Sequence, residues 1–228
     1  MSRALGGEVE HFKGDKSMKK NIVITIARQY GSGGRTVGKM LAKDLGINYY
    51  NKDLIKLASE ESGINEDLFR EADERCRTVG FFKAPVNVYT GDIIGPDSKE
   101  FTEPDNLFNF QAKTIKNLAD KESCVIIGRA ANFVLKDYDN VLSVFVHAPM
   151  EYLLEQAAKV QSLRGDELEK FIRKEDKYRS EYYEHHTGRK WSDARNYDLC
   201  LDSSKLGFEG CVEAIKAHMR VRFGDYLS

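Results

Sequence analysis

Cysteine and proline are scarce in this sequence, and long apolar runs are lacking. Only four cysteines and four prolines occur among 228 residues, and no two cysteines have the C-x-x-C spacing of zinc or redox sites. No run of about 18 apolar residues is present, so the sequence predicts no membrane-spanning helix and no membrane partner. We therefore expect free thiols in a reducing, cytoplasmic compartment.

An excess of charge of either sign is also lacking. The 35 basic and 36 acidic residues leave a formal net charge of -1. Proteins that bind long nucleic acids usually present a net basic face, so this balance argues against a long nucleic acid as the partner. Any anion-binding site in this chain must be local.

Apolar runs alternate with helical patterns along most of the chain. Strands are predicted at residues 22–27, 48–50, 124–127, 141–146 and 197–201. Helices are predicted at residues 36–45, 52–62, 66–72, 106–119, 150–159, 164–186 and 210–223. Apolar strands separated by helices are typical of a parallel sheet that is covered on both faces. We predict a three-layer α/β/α fold, with residues 76–104 as an irregular insertion.

The first predicted strand runs directly into a glycine-rich turn. Its glycines permit backbone conformations and close approaches that a Cβ would block, so successive amides can converge on an anion. The helix that follows adds the partial positive charge of its N-terminus. The predicted polyphosphate-binding residues are Tyr30, Gly31, Ser32, Gly33, Gly34, Arg35 and Thr36.

This turn departs from the common phosphate-loop pattern G-x-x-x-x-G-K-[ST] at two positions. Gln29 takes the place of the leading glycine, and Arg35 takes the place of the lysine. A guanidinium keeps the charge and can bind two phosphate oxygens at once, although it is planar and bulkier than an ammonium. The alternative interpretation is a glycine-rich surface turn between a strand and a helix.

Further cations lie elsewhere in the sequence. Arg129 follows the third predicted strand, and we expect it to face the glycine-rich turn because ligands of open α/β sheets bind at that edge; a surface arginine is the alternative. The charge-rich segment 164–195, which includes Lys177 and Arg179, is interpreted either as a mobile basic lid or as a solvated helix face. His185 and His186 are adjacent on a helix and point in different directions, so we expect no metal site there.

Several segments taken together resemble the cytidylate kinase-like family of P-loop proteins. They are IARQYGSGGR at 26–35, YYNKDLI at 49–55, IGR at 127–129, VFVHAP at 144–149, DKYRSEYY at 176–183 and, after Trp191, NYDLCLDSS at 196–204. The segments occur in this order over nearly all of residues 19–228. Jointly they are far more specific than any one of them alone.

The resemblance implies a nucleoside monophosphate kinase fold, with a five-stranded parallel sheet, a P-loop, an inserted substrate-binding segment and a helical lid. It implies transfer of the γ-phosphoryl group of ATP to CMP or dCMP, with Mg²⁺ as cofactor. By the same resemblance, Arg35 takes the role of the P-loop cation and Thr36 offers its hydroxyl to Mg²⁺. Arg129 would lie beside the acceptor phosphate, and Lys177 and Arg179 would be catalytic cations of the lid.

The resemblance also implies acceptor-binding roles for Asn51 and Asp53. The family often has aspartate at the position of Asn51, and Ala130 stands where cytidylate kinases have the aspartate that follows the Gly-Arg element. The loss of a carboxylate at position 51 would weaken acceptor binding. The groups that would recognise a cytosine ring are therefore not visible in the sequence.

The expected organisation is a disordered N-terminal extension at residues 1–18 and a single P-loop kinase domain at residues 19–228. Within that domain we expect an acceptor-binding insertion at 60–117 and a lid at 160–195. The expected partner is a small-molecule nucleotide, and the sequence leaves the oligomeric state open. Two other functions fit the same residues: a kinase of another small metabolite, and a nucleotide-binding or sensing protein with little turnover.

Overall fold

The computed structural model describes residues 21–79 and 86–224 of the chain. The predicted extension at 1–18 and part of the predicted insertion, residues 80–85, lie outside the described residues. The described strands are β1 (Val23–Arg28), β2 (Asn48–Tyr50), β3 (Cys124–Ile127), β4 (Val141–His147) and β5 (Leu199–Asp202). They form one sheet in the order β2-β3-β1-β4-β5, and every neighbouring pair is parallel.

Helices connect these parallel strands, as parallel pairing requires. They are α1 (Gly34–Leu45), α2 (Asp53–Ser62), α3 (Glu66–Val79), α4 (Pro104–Lys121), α5 (Ala131–Val134), α6 (Met150–Ala158), α7 (Gly165–Thr187) and α8 (Ser203–Phe223), with a short 3₁₀ turn at Ala194–Asn196 before β5. Gly207 has a non-helical backbone inside α8, so this helix is interrupted near its start.

The central strand β1 shows why the sheet is covered on both faces. Ile24 and Ile26 are fully buried in one cluster with α1 and α8. Val23 and Ala27 alternate with them and belong to the opposite cluster, which includes α4 and α5. Because successive side chains of a strand point to opposite faces, these buried apolar residues require helices on both sides of the sheet. The predicted three-layer α/β/α fold is confirmed.

The element boundaries differ from the sequence prediction at several places. Helix α3 continues to Val79, so residues 76–79 are helical and not irregular as predicted; acidic residues in its first turn and the lack of glycine or proline before position 80 favour this length. Helix α5 has only four residues, too few for a periodic pattern. Helix α8 begins at Ser203, where Asp202 caps it by accepting a hydrogen bond from the Ser204 amide.

Among the described residues, none of the helices combines the length and the apolar character needed to cross a membrane.

The irregular segment 86–103 is anchored to α4 by one buried amide side chain. Asn106 is 2% exposed, accepts a hydrogen bond from the Ile94 amide at 2.8 Å, and donates to the carbonyls of Ile94 at 3.0 Å and Phe101 at 2.7 Å. Backbone groups that no strand or helix pairs are satisfied here by a single side chain. The path of this segment therefore depends on Asn106.

We predict that Asn106→Ala lowers the free energy of unfolding by about 1–3 kcal/mol, because partly buried backbone groups lose their partners. Amide hydrogen exchange in residues 86–103 should accelerate at the same time. The control is Asn117→Ala, whose amide hydrogen bond to Glu61 is exposed and should contribute about 0.5 kcal/mol or less. Equal exchange rates in the two variants would contradict this role of Asn106.

Candidate functional site

The glycine-rich turn lies between the end of β1 and the start of α1, at the carboxyl edge of the sheet. Gly31 and Gly33 have positive φ angles of 84° and 77°. A Cβ on Gly31 would come within 2.5 Å of the backbone oxygen of Leu153, and one on Gly33 would overlap the ring of Phe208. No side chain caps the N-terminus of α1, so the amides of its first turn remain available to an anion.

A cavity of about 230 Å³ lies against this turn. Gly31, Gly33, Gly34, Arg35 and Thr36 all line it. Ser32 does not: its side chain is fully buried, and its hydroxyl donates to the Gln29 carbonyl at 2.9 Å. Ser32 therefore stabilises the turn from within and does not present its hydroxyl to the cavity.

A second, larger cavity of about 370 Å³ extends over the ends of β1 and β3. Its lining has an excess of positive charge, with five cationic side chains against two carboxylates. The cations are Arg28, Arg35, Lys52, Arg129 and Arg179, and the carboxylates are Asp73 and Glu175. Aromatic side chains, including Tyr178, Tyr182 and Trp191, form much of the remaining wall.

The two cavities meet at a boundary formed by the same few residues. Arg28, Arg35 and Arg179 line both, together with Tyr30. Three guanidinium groups at one junction repel one another unless negative charge lies between them. The junction is therefore suited to an anion shared by the two cavities.

Arg28 shows this electrostatic imbalance most clearly. It is the last residue of β1, and its Nε is buried without a hydrogen-bond partner among the described residues. Burial and, to a smaller extent, the nearby charges of Arg179, Arg35 and Arg129 together lower the pKa of Arg28 to about 9. A buried guanidinium whose Nε has no hydrogen-bond partner among the described residues is costly unless a bound anion compensates it.

Arg129, by contrast, is paired with an acidic residue from α3. It donates to both oxygens of Asp73, at 2.6 and 2.5 Å. Burial favours the neutral form of Arg129, but the Asp73 carboxylate outweighs burial and raises its pKa above the usual range. Asp73 therefore holds the Arg129 side chain in place, and an incoming anion would compete with this carboxylate for it.

An unusual backbone turn places Arg129 in the larger cavity. Arg129 and Ala130 have φ angles of 56° and 50° and follow Gly128, whose φ is 72°. Consecutive left-handed residues with a Cβ cost about 1–3 kcal/mol each and persist only where their surroundings enforce them. Such strain is typical of functional sites, where it directs a side chain that an ordinary turn would point elsewhere.

Helix α7 packs over the glycine-rich turn through one carboxylate. Asp176 accepts hydrogen bonds from the Tyr30 amide at 2.7 Å and from Arg179 Nη1 at 2.8 Å. Burial raises the pKa of Asp176 to about 6, against the lowering effects of Arg179 and of the Tyr30 amide. The Tyr30 hydroxyl also accepts a hydrogen bond from Gln161 at 2.6 Å, and its ring packs edge-on against Phe171. The charge-rich helix is thus in contact with the turn.

The structure brings most of the predicted site residues together. Tyr30, Arg35, Asn51, Arg129 and Arg179 line the larger cavity, and the glycines and Thr36 line the smaller one. Asp53 and Lys177 line neither cavity.

Three predicted residues, Ser32, Asp53 and Lys177, thus line neither cavity in this structure. Lys177 is 58% exposed and lies 3.9 Å from Glu181, because it occupies another face of α7 than Arg179 does. Asp53 is exposed at the first turn of α2.

Sequence reasoning missed Arg28, Asp73 and Asp176 as members of the site. Arg28 stands in the quoted segment 26–35, three residues before the first glycine of the turn, so its position at the end of β1 was a usable signal. Asp176 stood in the quoted segment 176–183, but only the fold shows that it reaches the Tyr30 amide. No sequence signal links Asp73 to Arg129, which lies 56 residues away.

A family model and curated relatives of this chain both point to cytidylate kinases. The model of the cytidylate kinase-like family matches residues 23–205. A cytidylate kinase from Archaeoglobus fulgidus is 27% identical over 204 residues, which cover 87% of this chain and 95% of that protein. A cytidylate kinase from Methanopyrus kandleri is 23% identical, with 86% and 92% covered.

Solved structures, of which two are described, resemble the fold of this chain. An uncharacterized protein from Eubacterium ventriosum superposes with a TM-score of 0.65 at 24% identity, covering 89% of this chain and all of that chain. A gluconokinase from Sinorhizobium meliloti gives a TM-score of 0.50 at 16% identity, with 89% and 94% covered. At these identities the likeness supports the fold alone.

We predict that Gly31→Ala is more damaging than an alanine at another left-handed glycine. Gly46, with φ of 63° and no atom within 4 Å of an added Cβ, isolates the backbone cost, and Gly46→Ala should lower the free energy of unfolding by about 1–2 kcal/mol. Gly31→Ala adds a collision with the Leu153 backbone and should cost more in urea unfolding. Equal losses of unfolding free energy in the two variants would contradict this prediction, because they would show that the turn accommodates the added Cβ without a collision.

We predict that Asp176 makes a pH-dependent contribution to the stability of the fold, which Asp176→Asn removes. Because the folded-state pKa of about 6 lies above the ordinary value of 3.8, the folded protein holds this proton more tightly than the unfolded chain does. Stability from this group is therefore present below about pH 4 and is lost as the pH rises to about 6, by about 1–3 kcal/mol.

The measurement is the difference in free energy of unfolding between the wild type and Asp176→Asn from pH 4 to pH 7. The asparagine keeps a hydrogen-bond acceptor for the Tyr30 amide, and all other titrating groups are common to both proteins. The difference should shift in favour of the variant as the pH rises. A difference that stays constant with pH would refute the raised pKa.

Proposed function

The chain belongs to the cytidylate kinase-like family, and we propose that it transfers the γ-phosphoryl group of ATP to a nucleoside monophosphate, with CMP or dCMP as the preferred acceptor. The observation that supports this most directly is the junction of the two cavities, where Arg28, Arg35 and Arg179 meet. A phosphoryl group in transfer spreads negative charge over its oxygens, and cations held in place around it lower the barrier.

The smaller cavity is assigned to the polyphosphate of ATP. The uncapped N-terminus of α1 and the amides of the glycine-rich turn provide hydrogen-bond donors and a positive dipole end. Arg35 stands in the first turn of the same helix, where its guanidinium can take two oxygens of the β- and γ-phosphates. The donor's γ-phosphate would then lie at the junction, beside Arg28 and Arg179.

The larger cavity is assigned to the acceptor nucleotide. Arg129 is directed into it by the strained turn and would bind the acceptor's phosphate, with Asn51 at the same wall. Aromatic side chains such as Trp191 and Tyr182 provide flat apolar surface for a base or sugar. Asp73, from the proposed acceptor-binding insertion at 60–117, orients the Arg129 guanidinium.

The residues near the smaller cavity fit Mg²⁺ only as a companion of the nucleotide. Thr36 offers a hydroxyl there, but none of the described residues that line this cavity is a carboxylate. Mg²⁺ prefers six oxygen ligands and is often held by substrate phosphates and water together with few protein groups. Thr36 would hold the ion, which when bound neutralises charge on the β- and γ-phosphates.

Catalysis then consists of positioning and charge neutralisation. Both phosphate groups are placed in line across the arginine junction, so no covalent intermediate on the protein is required. Segment 160–195 is proposed as the lid, because the contacts of Asp176 and Gln161 with Tyr30 hold it against the glycine-rich turn. Such a cover excludes water, which would otherwise compete as the phosphoryl acceptor.

We predict that ADP release from ATP depends on the acceptor, with CMP or dCMP faster than UMP, AMP or GMP. Arg35→Ala should lower the rate with the best acceptor by about 10²-fold or more, since a preorganised charge at the γ-phosphate is removed. The matched control is Arg220→Ala, which removes an exposed arginine of the last turn of α8 that lines neither cavity. Its rate should equal that of the wild type.

The other outcomes separate the alternatives. Turnover only with a non-nucleotide acceptor such as a sugar acid would refute the nucleotide assignment and favour a kinase of another metabolite. Binding of ATP without transfer to any acceptor would favour a nucleotide-binding protein. An Arg35→Ala variant with an unchanged rate would refute the assignment of the smaller cavity to the donor.

A further inference from the structure

We propose that Asp105, His185 and His186 form a binding site for a divalent transition-metal ion, which links the start of α4 to the end of α7. This site lies apart from the two cavities of the proposed phosphoryl transfer. None of the three side chains lines either of the two cavities described above. Their donor atoms converge although the residues lie 80 positions apart in the sequence.

The positions of the donor atoms fit a single ion. His185 Nε2 lies 2.7 Å from Asp105 Oδ1, His186 Nδ1 lies 3.8 Å from the same oxygen, and one donor atom from each residue falls within a span of 4.8 Å. Zinc bonds of about 2.0–2.2 Å place neighbouring ligands of a tetrahedral ion about 3.4 Å apart. The observed distances bracket this value, so only small side-chain shifts are needed.

The chemistry of the three donor groups also fits a divalent transition-metal ion. Two imidazoles and one carboxylate form a set that binds zinc and other first-row divalent ions, with a remaining position for water. The histidine side chains are 6% and 4% exposed, whereas Asp105 is 39% exposed, so the carboxylate gives the ion a route from solvent. The oxygen-preferring Mg²⁺ is a poor match for this set.

The surroundings hold the three ligands in place. Asn87 donates to the other carboxylate oxygen of Asp105 at 2.7 Å, as the outer partner of a metal-bound carboxylate commonly does. The ring of His186 stacks on Phe108 at 3.8 Å between centroids, which fixes the orientation of the imidazole. The amides of Asn87 and Tyr89 donate to the carbonyls of His185 and His186, so the segment after position 85 is tied to the same end of α7.

Binding would replace a direct contact between ligands by bonds to the ion. His185 Nε2 lies at hydrogen-bond distance from Asp105 Oδ1. An ion between them would take His185 Nε2, His186 Nδ1 and Asp105 Oδ1 as ligands, and each imidazole would carry its one proton on its other ring nitrogen. The sequence argument against a metal here considered only neighbours in sequence, and the fold supplies Asp105 from another helix.

The test is a titration of the full chain with Zn²⁺ by calorimetry, with thermal unfolding as a second readout. We expect one ion per chain and a higher midpoint of unfolding at saturating Zn²⁺. His186→Phe is the key variant because it removes one ligand while it keeps a flat ring on Phe108 and the contact between His185 and Asp105. It should fold as the wild type does and bind Zn²⁺ at least about 10-fold more weakly.

His218→Ala is the matched control, since it removes a histidine of α8 that lies outside the cluster. Its affinity for Zn²⁺ should equal that of the wild type, and Mg²⁺ should not raise the unfolding midpoint of the wild type through this site. Equal zinc affinity in His186→Phe and the wild type would overturn the proposal, as would the absence of stoichiometric binding. ADP release from ATP with Mg²⁺ present and Zn²⁺ absent tests the proposed kinase function separately.

Discussion

The mutual repulsion of arginines at the carboxyl edge of the sheet is the constraint on which the site depends. Arg28, Arg35 and Arg179 line the same junction, and the lowered pKa of Arg28 reflects both its burial and these neighbours. A folded protein tolerates such an arrangement when an anion relieves it. The repulsion among these arginines lowers the stability of the ligand-free protein. The same positive charge attracts phosphate groups strongly.

The fold keeps these cations from separating. Arg28 is fixed as the last residue of a central strand that is hydrogen-bonded on both sides, and Arg129 is fixed by a strained turn after the neighbouring strand. Asp73 holds the Arg129 guanidinium with two hydrogen bonds. Arg28 and Arg129 are held by different elements. A shift of one side chain therefore leaves the other in place.

Helix α7 connects the arginine junction with the cluster of Asp105, His185 and His186. Asp176, Arg179, Tyr183 and His186 follow one another at spacings of three and four residues, so they share one face of the helix. Asp176 accepts a hydrogen bond from the Tyr30 amide, Arg179 lies over the Tyr30 ring, and His186 lies in the cluster with Asp105. A metal ion at the end of α7 would therefore restrain the helix that presents Arg179 to the junction.

The amino-acid sequence was enough to predict the layers, the parallel sheet and the position of the glycine-rich turn, because these follow from short-range apolar patterns and from glycines next to a strand. The resemblance and the sheet-edge rule placed Arg35, Arg129 and Arg179 near one another, but they also placed Lys177 there. The packing of the helices shows that Lys177 points away, that Asp73 contacts Arg129 and that Asp105 contacts two histidines. Such pairings join residues far apart in the chain, and they depend on how helices pack, which local patterns do not encode.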